Sequence, residues 1–162
     1  VQNCTKPMII DADGINALAG HMDEWERRRG RVTVLTPHEG EFLRVGGDLS
    51  QGRTAAAEDF ARRSGAVVVL KGPGTVVAGP DGRCRVNTTG NCGMAKGGSG
   101  DVLSGVVLAL LGLGMDAFDA CCCAVWLHGR AGDLAAQEKG QWGMTPTDLL
   151  ERLPQALREV TE

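Results

Sequence analysis

The sequence predicts an α/β fold, a parallel, doubly wound sheet with helices on both faces. Three observations predict it. The short apolar runs at residues 7–10, 32–35 and 66–70 have little polar alternation, which marks strands buried on both faces. Segments of helical periodicity separate those runs. Polar and glycine-rich stretches begin where each run ends, and sheets of this kind bind ligands at the carboxyl ends of their strands.

In chain order, the first run stops at Asp11, Ala12, Asp13 and Gly14, and a short helix carries Ile15, Leu18 and Ala19. Residues 23–29 are densely charged and predict a solvated helix face and turn. The second strand is stopped by Thr36 and Pro37, and a helix beginning at Pro37 or His38 carries Phe42 and Leu43. Residues 50–63 predict an amphipathic helix, with Ala55, Ala56 and Phe60 opposite its charges. The third strand runs into Lys71-Gly72-Pro73-Gly74. Residues 75–78 and 83–86 flank Gly79-Pro80-Asp81-Gly82, which predicts a hairpin. Apolar helices follow at residues 99–113 and 117–136. The last helix starts at Thr145, a capping residue, with Pro146 in the first helical position and Asp148 completing a capping box. Pro154 is expected to kink or end it.

Composition narrows the function. The 162 residues carry a net charge of −3, so no basic face is expected for nucleic acid or an anionic membrane. Aromatic residues are 4% with no Tyr, which argues against base stacking. Gly, at 24 residues, is about twice its usual share of ~7% but has no collagen period. The six Cys form no C-x-x-C pair and are expected to be reduced, small and mostly buried, in a cytoplasmic protein, with a disulfide scaffold or zinc site as the alternative. The longest apolar stretch, residues 102–115, is interrupted by Ser104 and glycines and falls short of the ~20 residues of a membrane span. No targeting signal is visible, and the absent start Met suggests a piece of a longer chain. Residues 1–162 are expected to form a single domain.

The chemistry concentrates in residues 87–103. Gly97, Gly98 and Gly100 let the backbone approach a phosphate closely, and the amides lie at the positive end of the helix that begins there. Asp101 beside them is placed to act as a base toward a hydroxyl meeting a phosphoryl group. A tight turn with Asp101 favouring the helix dipole accounts for the same residues. Lys71, Gly72, Pro73, Gly74 and Thr75 offer a cation, amides and a hydroxyl for a nucleotide; a plain hairpin turn is the alternative. His38 can bind a polar substrate or serve structure. Asp11, Asp13 and Asn16 can orient a substrate or metal, or make loop and cap hydrogen bonds. His128 with Asp133 has the makings of a dyad, but no nucleophile motif accompanies it and its helical setting favours packing.

Taken together, residues 11–18 (Asp-Ala-Asp-Gly-Ile-Asn-Ala-Leu), 36–41 (Thr-Pro-His-Glu-Gly-Glu), 71–75 (Lys-Gly-Pro-Gly-Thr) and 90–105, which end in Gly-Gly-Ser-Gly-Asp-Val-Leu-Ser-Gly, closely resemble the ADP-dependent NAD(P)H-hydrate dehydratases. These are carbohydrate-kinase-like members of the ribokinase-like superfamily. The resemblance implies a mostly parallel ribokinase-like sheet with helices on both faces. It also implies ADP-dependent dehydration of the S epimer of NADHX or NADPHX to NADH or NADPH, with release of AMP and phosphate. By position, Asp101 would be the catalytic base and touch the substrate hydroxyl, and His38 would bind the hydrated dinucleotide. Lys71 to Thr75 and Gly100 would bind ADP or AMP, and Gly98, Ser99 and Gly100 would form the anion hole. ADP is the implied phosphoryl donor, with Mg2+ as its companion. A homo-oligomer and a fused or separate epimerase partner are left open.

The chain departs from the family pattern at Glu39 and Cys92, where members usually have Pro, and each change loosens its loop. Nothing here corresponds to the family's N-terminal strands and Gly-rich substrate loop, so the chain is expected to be the C-terminal part of the domain. Two alternatives remain: a ribokinase-like small-molecule kinase using the same loop and Asp, and a nucleotide-binding fragment without turnover.

Overall fold

A computed structural model describes residues 3–21, 25 and 27–161. The expected strands form β1 (Met8–Ile10), β2 (Thr33–Leu35), β3 (Val67–Leu70), β4 (Val76–Ala78) and β5 (Cys84–Val86), hydrogen-bonded in chain order into one sheet. β1, β2 and β3 are parallel, β4 runs antiparallel to β3, and β5 antiparallel to β4. Four of the five strands therefore point the same way, and the hairpin at Gly79-Pro80-Asp81-Gly82 supplies the reversed one.

Helices cover both faces, in a different manner from the one the sequence predicts. Strand order follows chain order without reversal among the described residues. Right-handed crossovers between successive parallel strands then fall on one face. That face packs α1 (Asp13–Asn16), α2 (Glu39–Arg44) and α3 (Arg53–Ser64) on Ile10, Leu35, Val68, Leu70, Val76 and Ala78. The opposite face, Val34, Val67, Val69 and Val77, is covered by α4 (Ser99–Gly112) and the first half of α5 (Ala117–Gly143), both of which follow β5. Strand residues alternate between the two cores, as the period of two requires.

Three helical details refine the sequence reading. α5 extends beyond residue 136 and is broken at Gly140, where φ is +72°. Lys96 Nζ takes up carbonyls around this break, those of Gln141, Trp142 and Met144. α6 (Pro146–Thr161) starts at the expected capping box: Thr145 N–H donates to Asp148 Oδ2 at 2.8 Å, and the Asp148 amide donates to Thr145 Oγ1 at 3.3 Å. It runs on through Pro154 instead of ending there.

The charged stretch at 23–29 is not simply a solvated face. Asp23, Glu24 and Glu26 lie outside the described residues. Trp25 and Arg28, however, are buried. The Arg28 guanidinium donates to the carbonyls of Cys4, Lys6 and Val32 and to Thr33 Oγ1, stapling the chain ahead of β1 to the start of β2. The cysteines are free thiols, but Cys121 alone is fully buried, while Cys92 and Cys123 are exposed. Burial pushes the Cys122 thiol up to about 11, which leaves it a poor nucleophile at neutral pH.

Candidate functional site

The carboxyl ends of β1, β2 and β3 deliver Asp11, Thr36 to His38, and Lys71 to one edge of the sheet. Lys71 N–H donates to the Pro37 carbonyl at 2.8 Å, and His38 and Lys71 form a further parallel bridge beyond the named strands. Lys71 Nζ donates to Asp11 Oδ1 at 2.7 Å and lies 4.0 Å from Glu41 Oε2. Asp11 is also held by the Ser104 hydroxyl at 3.3 Å and by the Ala12 amide at 2.9 Å. Ala12 has φ +48°, a conformation that costs an L side chain about 1–3 kcal/mol and persists only where the surrounding structure over-determines it. Burial raises the Asp11 carboxyl, but the Lys71 ammonium, with help from Thr36 and the Ala12 amide, outweighs burial and holds it below the usual 3.8.

α4 brings its N-terminus to this pair. Gly98 caps it in a left-handed conformation, φ +98°, with no side chain bonded to the first-turn amides. That end carries the positive pole of a 14-residue helix, and of its first amides that of Ser99 already donates to the Lys96 carbonyl at 3.3 Å. A Cβ placed on Gly100 would lie 3.3 Å from Asp11 Oδ2 and 3.5 Å from Lys71 Nζ, so the helix start and the Lys71–Asp11 pair are in contact. Ser99 is buried and Asp101 is exposed, one residue beyond Gly100 on the same turn.

His38 has a structural duty as well as an exposed ring. Its Nδ1 accepts from the Gly40 and Glu41 amides at 3.0 and 3.3 Å, while Glu41 Oε2 accepts from the His38 amide at 2.8 Å, a reciprocal cap on α2. Acceptance at Nδ1 leaves Nε2 to carry the ring proton, and this edge is 3.5 Å from Glu41 Oε1. Thr75 Oγ1 donates to the Gly72 carbonyl at 3.1 Å and closes the 71–75 loop.

The remaining candidates separate. Asn16 donates to Asp13 at 3.4 Å and accepts from Arg44, so of the 11–16 group Asp11 alone reaches the Lys71 centre. His128 and Asp133 have separate partners: His128 Nε2 donates to the Ser99 carbonyl at 2.8 Å, whereas Asp133 accepts from the Gly90 amide and Asn91 Nδ2. Burial, with a smaller contribution from the Lys71 charge, pushes His128 below 6.5 against the opposing Ser99 bond. These two residues brace the glycine-rich loop from α5. Gly129 completes the brace, because a Cβ there would lie 2.2 Å from Thr89 Oγ1.

Arg53 is a site residue that motif reasoning did not find. It opens α3, where a lone Arg has no local signature, and its guanidinium donates to carbonyls of the 70–74 segment. For a divalent cation, no cluster of three or more His, Cys, Asp or Glu occurs among the described residues. Donors of this kind fit Mg2+ that keeps water and phosphate oxygens as its main ligands.

A mostly parallel α/β sheet with helices on both faces, and with a lysine and a helix N-terminus meeting at its carboxyl edge, has the architecture of the ribokinase-like class. Residues 1–155 match the model of the NAD(P)H-hydrate dehydratase family, and the chain belongs to that family. It is 47% identical over 161 residues to the bifunctional NAD(P)H-hydrate repair enzyme Nnr of Thermofilum pendens, covering 97% of this chain and 30% of that protein. It is 40% identical over 144 residues to the ADP-dependent (S)-NAD(P)H-hydrate dehydratase of Neisseria meningitidis, covering 86% of this chain and 49% of the relative. The crystal structure of the Bacillus subtilis ADP/ATP-dependent NAD(P)H-hydrate dehydratase, co-crystallized with ATP/Mg2+, superposes with a TM-score of 0.82 at 34% identity, covering 98% of this chain and 57% of that one. The chain thus spans about a third to three-fifths of these relatives.

Proposed function

We propose that residues 1–162 act as one domain portion of an ADP-dependent (S)-NAD(P)H-hydrate dehydratase, holding its nucleotide loop, anion hole and base. The observation that carries this reading is the contact between the α4 N-terminus at Gly100 and the Lys71–Asp11 pair. A cation and a dipole aimed at one point suit the phosphates of ADP. Lys71 to Thr75 and Gly100 receive the nucleotide, the amides around Gly98, Ser99 and Gly100 hold the transferring phosphoryl group, and His38 binds the hydrated dinucleotide.

Asp101 takes the proton of the ring hydroxyl as its oxygen bonds to the β-phosphorus of ADP. The bond to the bridging oxygen breaks, and AMP leaves with the electron pair. The phosphate ester is then eliminated: the carbon–oxygen bond breaks, phosphate departs with the electron pair, and a neighbouring ring carbon gives its proton to solvent as the double bond forms. Magnesium, arriving with the nucleotide, neutralises phosphate charge when bound; Asp11 and Asp101 are the carboxylates on hand. The expected setting is the cytoplasm, without nucleic-acid or membrane partners. No helix among the described residues is long and apolar enough to cross a membrane. This reading leaves open a homo-oligomer and an epimerase partner, fused or separate.

The test is to incubate the protein with ADP and S-hydrated NADH. The measurements are recovery of dihydronicotinamide absorbance and of AMP and phosphate in equal amounts. ADP-dependent recovery supports the dehydratase. Phosphorylation of an alcohol by ATP without dehydration would indicate a kinase, and ADP binding without turnover a binding fragment.

A further inference from the structure

We infer that Arg53 is a positioning residue that holds the 71–75 loop with its amides turned toward the nucleotide, an inference that rests on the nucleotide reading above. Its Nη2 donates to the Leu70 and Lys71 carbonyls at 2.9 and 3.1 Å, and its Nη1 to the Pro73 and Gly74 carbonyls. A trans peptide points its N–H opposite its C=O. Gathering four carbonyls on one guanidinium therefore turns the amides of Gly72, Gly74 and Thr75 away from it, toward the side left open to a ligand. The Lys71 amide, the remaining one of the set, is spent on Pro37.

The loop is shaped to this guanidinium. Gly72 has φ +147°, and a Cβ there would lie 2.7 Å from Arg53 Nη2, so the chain lies directly against the planar group. Lysine offers a point charge without a planar fork and cannot reproduce the four-carbonyl arrangement. Glu39 steadies the guanidinium from the other side, with its Oε1 3.2 Å from Arg53 Nε. This ion pair joins the His38 loop to the 71–75 loop at the position where the family usually has Pro.

The experiment is calorimetric ADP binding to the wild-type protein, Arg53→Lys and Arg53→Met, with amide hydrogen exchange followed across residues 67–75. Arg53→Met should weaken ADP binding about tenfold or more, on the scale of a lost charged hydrogen bond, and reduce the slowing of exchange that saturating ADP gives Gly72, Gly74 and Thr75, while β3 stays protected with or without ADP. Arg53→Lys should fall between the two, and it carries the test if the Met variant does not fold. A folded variant with wild-type affinity and unchanged loop exchange overturns the inference. Failure of the wild-type protein to bind ADP overturns the nucleotide reading itself, so the two failures are distinguishable.

Discussion

Lys71 Nζ donates to Asp11 Oδ1 at 2.7 Å across sixty residues of sequence, linking the ends of β3 and β1 beneath the first turn of α4. The pair fixes the ammonium at the carboxyl edge of the sheet, with most of both side chains out of solvent. Lys71→Ala should weaken ADP binding by about 1–3 kcal/mol, the scale of a charged hydrogen bond. Calorimetry reads this directly, and unchanged affinity would make Lys71 only a partner for Asp11.

The same pair makes stability depend on pH at the acid end. Asp11 has a lowered carboxyl pKa in the fold, so its stabilisation is fully present above the ordinary value of 3.8 and is lost as pH falls through the lowered one. Lys71→Met leaves the half-buried carboxylate without its cation and should flatten or invert this contribution. Urea unfolding of both proteins from pH 5 downward, a range of about the width over which a paired carboxylate titrates, is the measurement. Parallel curves would mean that the pair contributes nothing net.

His128 acts in a higher window. Burial holds its folded pKa below 6.5, so the unfolded chain binds the proton first and stability falls as pH drops from 6.5 toward the folded value. His128→Gln preserves a donor for the Ser99 carbonyl without a titrating ring. The variant should lose the stability decline between about pH 7 and 5, the range His ordinarily spans. An identical slope in both proteins would remove His128 as its source.

Local features of this molecule were legible in the sequence because local chemistry produces them. The hairpin at Gly79-Pro80-Asp81-Gly82, the Thr145–Asp148 capping box and the glycine entry to α4 are each written in a few adjacent residues. Arg28, Arg53 and Lys96 were not legible. Each bonds mainly to backbone carbonyls, many of them far along the chain, and a carbonyl leaves no trace in residue identity. The roles of His128 and Asp133 likewise depend on how α5 lies against the 87–91 loop and the start of α4, a tertiary placement that residue identity does not encode.

Gly129 tests that brace. An added methyl would meet Thr89 Oγ1 at 2.2 Å and the Thr89 carbonyl carbon at 2.7 Å, so backbone has to move. Gly129→Ala should cost about 1–3 kcal/mol, the usual penalty of overpacking. It should also displace the loop that leads to Gly98. Gly105→Ala, on α4 with nothing within 4 Å of its added Cβ, is the control. Equal thermal stability of the two variants would show that the loop yields at no cost.

Asp101 should separate chemistry from binding. It sits one residue past Gly100, exposed at the mouth of α4, while the cation and amides proposed to hold the phosphates belong to other groups. A base matters as the hydroxyl proton moves, and the nucleotide is already bound by then. Asp101→Asn keeps the side-chain shape and every backbone amide. It should lower kcat by about 10²-fold or more, the low end for general-base catalysis, and leave ADP affinity within a few-fold. Both quantities are to be measured on the same enzymatically active preparation. Near-normal kcat would remove Asp101 from the proton transfer. Collapsed ADP affinity in a folded variant would instead place its carboxylate among the groups that hold the nucleotide and its cation.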